Sequence, residues 1–236
     1  MENDNARKLK VAKTALGMIR ECGYLQFTMN DLSKAANVSP GTLYRTFPSK
    51  DDLLVYLFGS VVGSLRASLR MFDRMDLSER EKVICRICYQ YYIRSYNPDL
   101  SSLDLIGTNS AIFNQASQET RNRFKEIFYE TTQWQAANFT NLVLTGKLIS
   151  SEEELKKTIK RLIVISRGGM VIANHIFIEK EMYQIEDLME FCDLVLEQLT
   201  WIGDEGRCDF RLILLAMRTV RDKSASGHSS QFPFAS

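Results

Sequence analysis

Thr28, Thr42, Tyr44, Arg45, Thr46 and Lys50 gather hydroxyls, a phenol and two cations into one short stretch of the chain. Side chains of these types donate hydrogen bonds to phosphate oxygens. Between them, Pro40 and Gly41 are small and open a segment whose backbone can come close to a groove. Hydrolytic, redox or transfer chemistry has no comparable set. The two histidines, His175 and His228, lie far apart, and there is no G-x-S-x-G, no phosphate-cradling glycine-rich loop and no paired metal-ligand motif. Neither an enzyme nor a bound metal or cofactor is therefore expected, and phosphate recognition is the chemistry to explain.

Positioning such a set takes two short helices joined by a tight turn, with a third helix starting at once. Thr28 caps the first, and Asp31 three residues on completes a capping-box pattern. Leu32, Ala35 and Ala36 give it a narrow buried face. Asn37 tolerates the left-handed conformation that ends a helix, and Val38 plugs the turn. Ser39 caps the next helix, with Pro40 at its first position, where a missing N–H costs nothing. Leu43 and Phe47, four apart, face inward and turn Pro40, Gly41, Thr42, Tyr44, Arg45 and Thr46 outward. Ser49 and Asp52 repeat the capping box. Two helices this short and this poor in apolar residues exist to display something, which is the logic of a helix-turn-helix whose second helix enters the DNA major groove.

Over residues 6–57 the chain resembles the amino-terminal DNA-binding domain of the TetR family of transcriptional regulators. The resemblance is carried by Gly23 ending the first helix, Thr28 opening the second, Val38-Ser39-Pro40-Gly41-Thr42-Leu43-Tyr44, and Phe47 with Ser49-Lys50-Asp51-Asp52-Leu53. It implies phosphate contacts from Thr28, Thr42, Tyr44 and Lys50, and base or groove contacts from Met29, Asn30, Pro40, Gly41 and Thr46. Arg45 occupies a position that varies across the family. Ser33 replaces the usual Ala and Asn37 the usual Gly, both compatible with the same turn.

The charge is split along the chain. Residues 1–50 hold eight Lys and Arg against four acids, a net of +4. The overall +1 then leaves −3 for the remainder, so a basic head that meets phosphate precedes a slightly acidic body. Five cysteines (Cys22, Cys85, Cys88, Cys192, Cys208) are scattered over helical segments. The C-x-x-C of Cys85 and Cys88 sits mid-helix without a second pair, and reads as buried apolar thiols. No apolar signal segment opens the chain, which predicts a cytoplasmic protein with no membrane partner.

Helical periodicity runs from end to end, which predicts an all-α fold. It comprises an N-terminal three-helix helix-turn-helix domain (1–54), a larger helical-bundle ligand-binding and dimerisation domain (55–222), and a flexible tail (223–236). A helix over 51–72 crosses from head to body. Others are expected over 78–96, 118–146, 151–182, 185–202 and 207–221.

Residues 162–178 are apolar nearly all round, so this helix must bury more than one face. Gly168-Gly169 inside it points to a close helix crossing. With the stripe on 185–202 it predicts a four-helix interface between two copies, through Gly168, Gly169, Ile172, Ile176, Leu188, Cys192, Val195, Leu196 and Leu199. The resemblance implies the same homodimer. It also implies a pocket for an apolar small-molecule effector in the aromatic middle of the chain, for which Tyr92, Tyr96, Phe113, Phe128, Trp134, Asn174 and His175 are the candidates. The reading is a dimeric repressor that binds an inverted-repeat operator in double-stranded DNA and is released by that effector. The alternatives are a ligand-independent regulator or activator of the same fold and, in a different class, a protein-binding helical module without DNA binding.

Overall fold

The computed structural model describes residues 2–96, 103–104, 109–173, 179, 184–203 and 206–227. Their regular elements are helices and one two-stranded ladder. The helices are α1 (Glu2–Gln26), α2 (Met29–Ala35), α3 (Pro40–Thr46), α4 (Lys50–Leu69), α5 (Glu79–Tyr96), α6 (Ser110–Gln115), α7 (Gln118–Leu144), α8 (Glu152–Ala173), α9 (Ile185–Leu196) and α10 (Phe210–Gly227). A 3-10 turn, Phe72–Arg74, follows α4, and the strands are β1 (Leu148–Ile149) and β2 (Thr200–Trp201). The described residues form two compact units, one from 1–64 and 97–131, the other from 65–96 and 132–226. Both α4 and α7 contribute to each unit.

The local signals act where the sequence places them. Gly23, at φ 76° and ψ 160°, interrupts α1 before its last residues. Thr28 and Ser39 cap α2 and α3 by accepting from the backbone N–H of Asp31 and Thr42. Asn37 takes φ 51°, the left-handed conformation that closes α2. Val11, Ala12, Ala15, Leu16 and Ile19 of α1 pack against Leu32, Leu43, Phe47, Leu53, Leu54 and Leu57 to give the first unit its core. Ala35 is exposed rather than buried, and Ser33 takes the inward position. The Ser33 hydroxyl donates to the Val38 carbonyl at 2.7 Å, so the polar departure from the family pattern ties the turn together.

In the second unit α5 supplies Val83, Ile84, Cys85, Cys88, Tyr89 and Tyr92 to a core shared with Leu162 of α8, Leu188, Met189, Cys192 and Leu196 of α9, and Ile213, Met217 and Val220 of α10. Each large side chain fully buried there stabilises the fold by about 1.5–3 kcal/mol. Cys85 and Cys88 are completely buried, as their apolar reading requires, and burial pushes the Cys85 thiol up to about 12. Among the described residues no three His, Cys, Asp or Glu side chains gather to hold a metal.

Three boundaries differ from expectation. The helix expected through 202 stops at Leu196, because the chain turns and the Trp201 indole N–H takes the Leu196 carbonyl at 2.9 Å. Thr200 and Trp201 then pair with Ile149 and Leu148, an antiparallel ladder too short to carry an alternating pattern. α10 continues to Gly227, so residues 223–227 of the segment read as tail are helical. The helix expected through 182 is described to Ala173; of the remainder Glu179 is described and is not helical, and the other residues lie outside the described residues. Lys50–Arg74 is long and apolar enough to cross a membrane by composition. Its Leu53, Leu54, Leu57, Phe58, Leu69 and Phe72, however, are core residues of the two units.

Candidate nucleic-acid interface

α3 is held from below and open above. Leu43 is fully buried and Phe47 is 2% exposed, while Pro40, Gly41, Tyr44 and Arg45 are exposed. The Tyr44 ring is 51% exposed, an unusual place for a large aromatic unless it meets a partner. Thr42 accepts from Ser39 Oγ at 2.9 Å and from an Arg45 guanidinium N–H at 3.4 Å, which leaves its own O–H available outward. Thr46 donates to the Thr42 carbonyl at 2.9 Å, so its hydroxyl proton is used within the helix. Arg45, steered toward Thr42, sets its charge above the start of the helix, whose backbone N–H groups already favour an anion.

The remaining candidates fall into two groups. Asn30 is exposed beside α3, whereas the Met29 side chain is 8% exposed and belongs to the core. A base contact from the Met29 side chain is therefore corrected: its thioether is packed inside. Thr28 is exposed, but its hydroxyl donates to Asp31 Oδ2 at 2.6 Å while accepting from the Asp31 N–H at 3.2 Å. That donation is the main reason the Asp31 carboxyl sits below its usual range. A phosphate at Thr28 would have to displace Asp31.

Lys50 carries a second role that the sequence did not suggest. Its ammonium donates to the carbonyls of Phe27 at 2.7 Å and Leu25 at 3.2 Å and stands 4.3 Å from the centre of the Phe27 ring. It thus clamps the end of α1 to the start of α4, and partial burial lowers its pKa. One N–H remains for a phosphate. Lys8 is likewise drawn inward, 4.8 Å from the Tyr56 ring and 5.5 Å from that of Phe47, with burial the first cause of its lowered pKa.

The pocket candidates are divided between the two units. Tyr92, 6% exposed, and Tyr96, 56% exposed, lie 5.0 Å apart in the second unit, with the Arg221 guanidinium 4.3 Å from the Tyr96 ring. Trp134 of the same unit has Arg70 over its face at 5.7 Å. Phe113 and Phe128 belong to the first unit, each against Phe124. Asn174, His175 and the dimer candidate Ile176 lie outside the described residues.

The residues expected at the dimer face divide between the chain's own core and its surface. Leu188, Cys192, Leu196 and Leu199 are 8% exposed or less and fill the core of their own chain. Val195 packs partly against that core, and Ile172 is half-buried. A Cβ on Gly169 would stand 3.0 Å from Leu188 Cδ1 and 3.5 Å from Tyr91, so its close crossing is within the chain. A Cβ on Gly168 would meet nothing within 4 Å. The apolar side chains that α8 and α9 do expose are Ile163, Val164, Val171, Phe191 and Leu194, between 47% and 70%. Val164, Gly168 and Val171 share one stripe of α8, and Phe191 and Leu194 one stripe of α9. Arg161 bonds Gln198 at one end of this pair of helices and Gly169 meets Leu188 toward the other, so α8 and α9 run side by side.

Residues 11–57 match the family model described as "Bacterial regulatory proteins, tetR family". The chain is 28% identical over 115 residues to the HTH-type transcriptional regulator BetI of Rhizobium meliloti, covering 49% of this chain and 55% of that one. It is 28% identical over 86 residues to the fatty acid metabolism regulator protein of Bacillus subtilis, covering 36% and 41%. The matches thus span about half the length of these curated relatives. The fold is similar to that of FadR from Bacillus subtilis, solved with stearoyl-CoA, at a TM-score of 0.56 and 19% identity, over 80% of this chain and 95% of that one. Residues 11–57, with their capped helix-turn-helix, thus match the model of the TetR family of transcriptional regulators, and the helical fold of the chain is similar to that of solved TetR-type proteins.

Proposed function

We propose that the protein is a repressor that binds an inverted-repeat operator as a homodimer and is released by an apolar small molecule. The observation that carries the reading is the outer face of α3. Thr42, Tyr44 and Arg45 stand on a helix that Leu43 and Phe47 fix from beneath and that the Ser39 and Ser49 caps bracket. Hydroxyl, phenol and guanidinium donors anchor phosphates, and Pro40 and Gly41 let the backbone come near the bases. The exposed apolar side chains of α8 and α9, Val164, Val171, Phe191 and Leu194, are where a second copy docks, with Gly168 allowing close approach. The effector part of the reading is supported by the acyl-CoA in the Bacillus subtilis FadR structure, a protein of the same fold.

Selection from a random double-stranded DNA pool by the purified protein tests the reading. Enriched sequences should form inverted repeats whose half-sites lie about 34–36 Å apart or at a multiple of that. A pool that stays random would remove it.

A further inference from the structure

A buried carboxylate joins the start of α4 to the start of α7. Asp52 is 2% exposed, and its two oxygens are fully used. Oδ2 accepts from Ser49 Oγ at 2.6 Å, and Oδ1 accepts from the Ser117 N–H at 3.0 Å and Ser117 Oγ at 2.5 Å. Ser49 opens α4, accepting from the Asp52 N–H at 3.0 Å. Ser117 opens α7, accepting from the Thr120 N–H at 3.3 Å. One carboxylate therefore serves the caps of two helices.

The packing beyond it explains why a charge belongs there. Phe58 stacks on Phe124 at 5.5 Å, a Cβ on Gly59 would lie 3.1 Å from Phe124, and one on Gly63 would lie 3.6 Å from Ile127. Contacts that advance together along both helices make α4 and α7 a parallel pair with their N-termini side by side. Parallel packing brings two positive dipole ends together, and a shared anion offsets that repulsion. Asp52 is that anion. It lies five residues beyond Phe47, the residue that closes α3.

We propose that Asp52 and Ser117 form a clasp that positions the recognition helix for operator reading, making α7 part of the DNA-binding head. The clasp rests on the DNA-binding reading above. It is a positioning device: neither residue needs to touch DNA. Random DNA asks only for phosphate contacts, which tolerate a displaced head, whereas base reading does not.

The test uses Ser117→Ala, which removes the hydroxyl arm of the clasp but keeps the Ser117 N–H arm and the Ser49–Asp52 cap, together with Asp52→Asn, the double variant and Ser117→Thr, which retains a hydroxyl. Affinity is measured for the sequence the wild-type protein selects and for random DNA, with melting temperature alongside. The ratio of selected to random affinity should fall about tenfold in each single variant and no further in the double. Ser117→Thr should stay within about twofold of wild type. A ratio unchanged in a folded single variant, or losses that add in the double, would overturn the clasp. Should Asp52→Asn not fold, Ser117→Ala and Ser117→Thr decide alone. A wild-type protein that selects no sequence would instead bring down the DNA-binding reading, and the clasp with it.

Discussion

Lys50 shows how one residue divides its donors between fold and function. Two N–H groups of its ammonium hold the Phe27 and Leu25 carbonyls, so truncation loosens the segment that precedes Thr28. Lys50→Ala should therefore lower the melting temperature, since hydrogen bonds to a charged group contribute about 1.5–3 kcal/mol each and part of this site is solvated. If the third N–H also reaches a phosphate, the log–log salt slope of DNA binding should drop by about one unit. A slope equal to wild type in a salt titration would leave Lys50 as a clamp alone. Tyr44→Phe is the cleaner probe, because its phenol is half exposed. Melting should be unchanged, while affinity for selected and random DNA falls together by about fivefold, the worth of one hydrogen bond. Asp52 adds a pH dependence with a definite sign. Burial pushes its carboxyl up, but donation from Ser117, Ser49 and Thr120 outweighs that and leaves it below 3.8. Its stabilising contribution is thus complete above the unfolded pKa and is lost as pH falls through the lower folded value. An acid-unfolding curve for Asp52→Asn should be flatter on that limb than the wild-type curve. The thiols follow the same logic. With burial holding Cys85 at about 12 and raising Cys88 as well, a thiol reagent at pH 8 should modify both only after denaturation.

At the scale of helices, legibility depended on how far the determining contacts lie along the chain. The caps at Thr28 and Ser49, the left-handed Asn37 and the break at Gly23 are decided by residues close in sequence, and each is readable from it. The inward face of α9 was not. Its stripe of Leu188, Cys192 and Leu196 suits a core or a second chain equally, and only α5 and α8, distant in sequence, decide for the core. Phe191 and Leu194 lie on the weaker stripe, which the sequence does not single out. The ladder of Leu148 with Trp201 was likewise invisible, because two residues cannot show a period. The adjacent glycines of α8 make the distinction testable. Gly169→Leu overfills the space beside Leu188 and Tyr91 and should destabilise the single chain by about 1–3 kcal/mol. Gly168→Leu, with open space around it, should leave the chain folded yet obstruct a partner helix. Circular dichroism melting and light scattering together separate the two outcomes.

For the whole molecule the exposed apolar face of α8 and α9 gives the sharper test of assembly. Val164→Glu with Phe191→Glu places two charges on side chains that are 70% and 47% exposed in one chain, so folding should survive while self-association is lost. Leu196→Arg, by contrast, buries a charge in the core and should unfold the chain rather than merely dissociate it. A wild-type protein that scatters as a folded monomer at micromolar concentration would exclude the dimer. Release by an effector needs no contact between ligand and DNA. A compound that prefers the non-binding arrangement a hundredfold shifts the equilibrium by about 2.7 kcal/mol, enough to change operator occupancy markedly. Thermal shift with a panel of apolar metabolites, stearoyl-CoA among them, should find compounds that raise the melting temperature, because ligands that bind only the folded state stabilise it. The same compounds should weaken binding to the selected operator by tenfold or more. Compounds that raise melting yet leave operator affinity unchanged would mean that their site is not a switch. The protein would then act as a regulator set by its abundance alone.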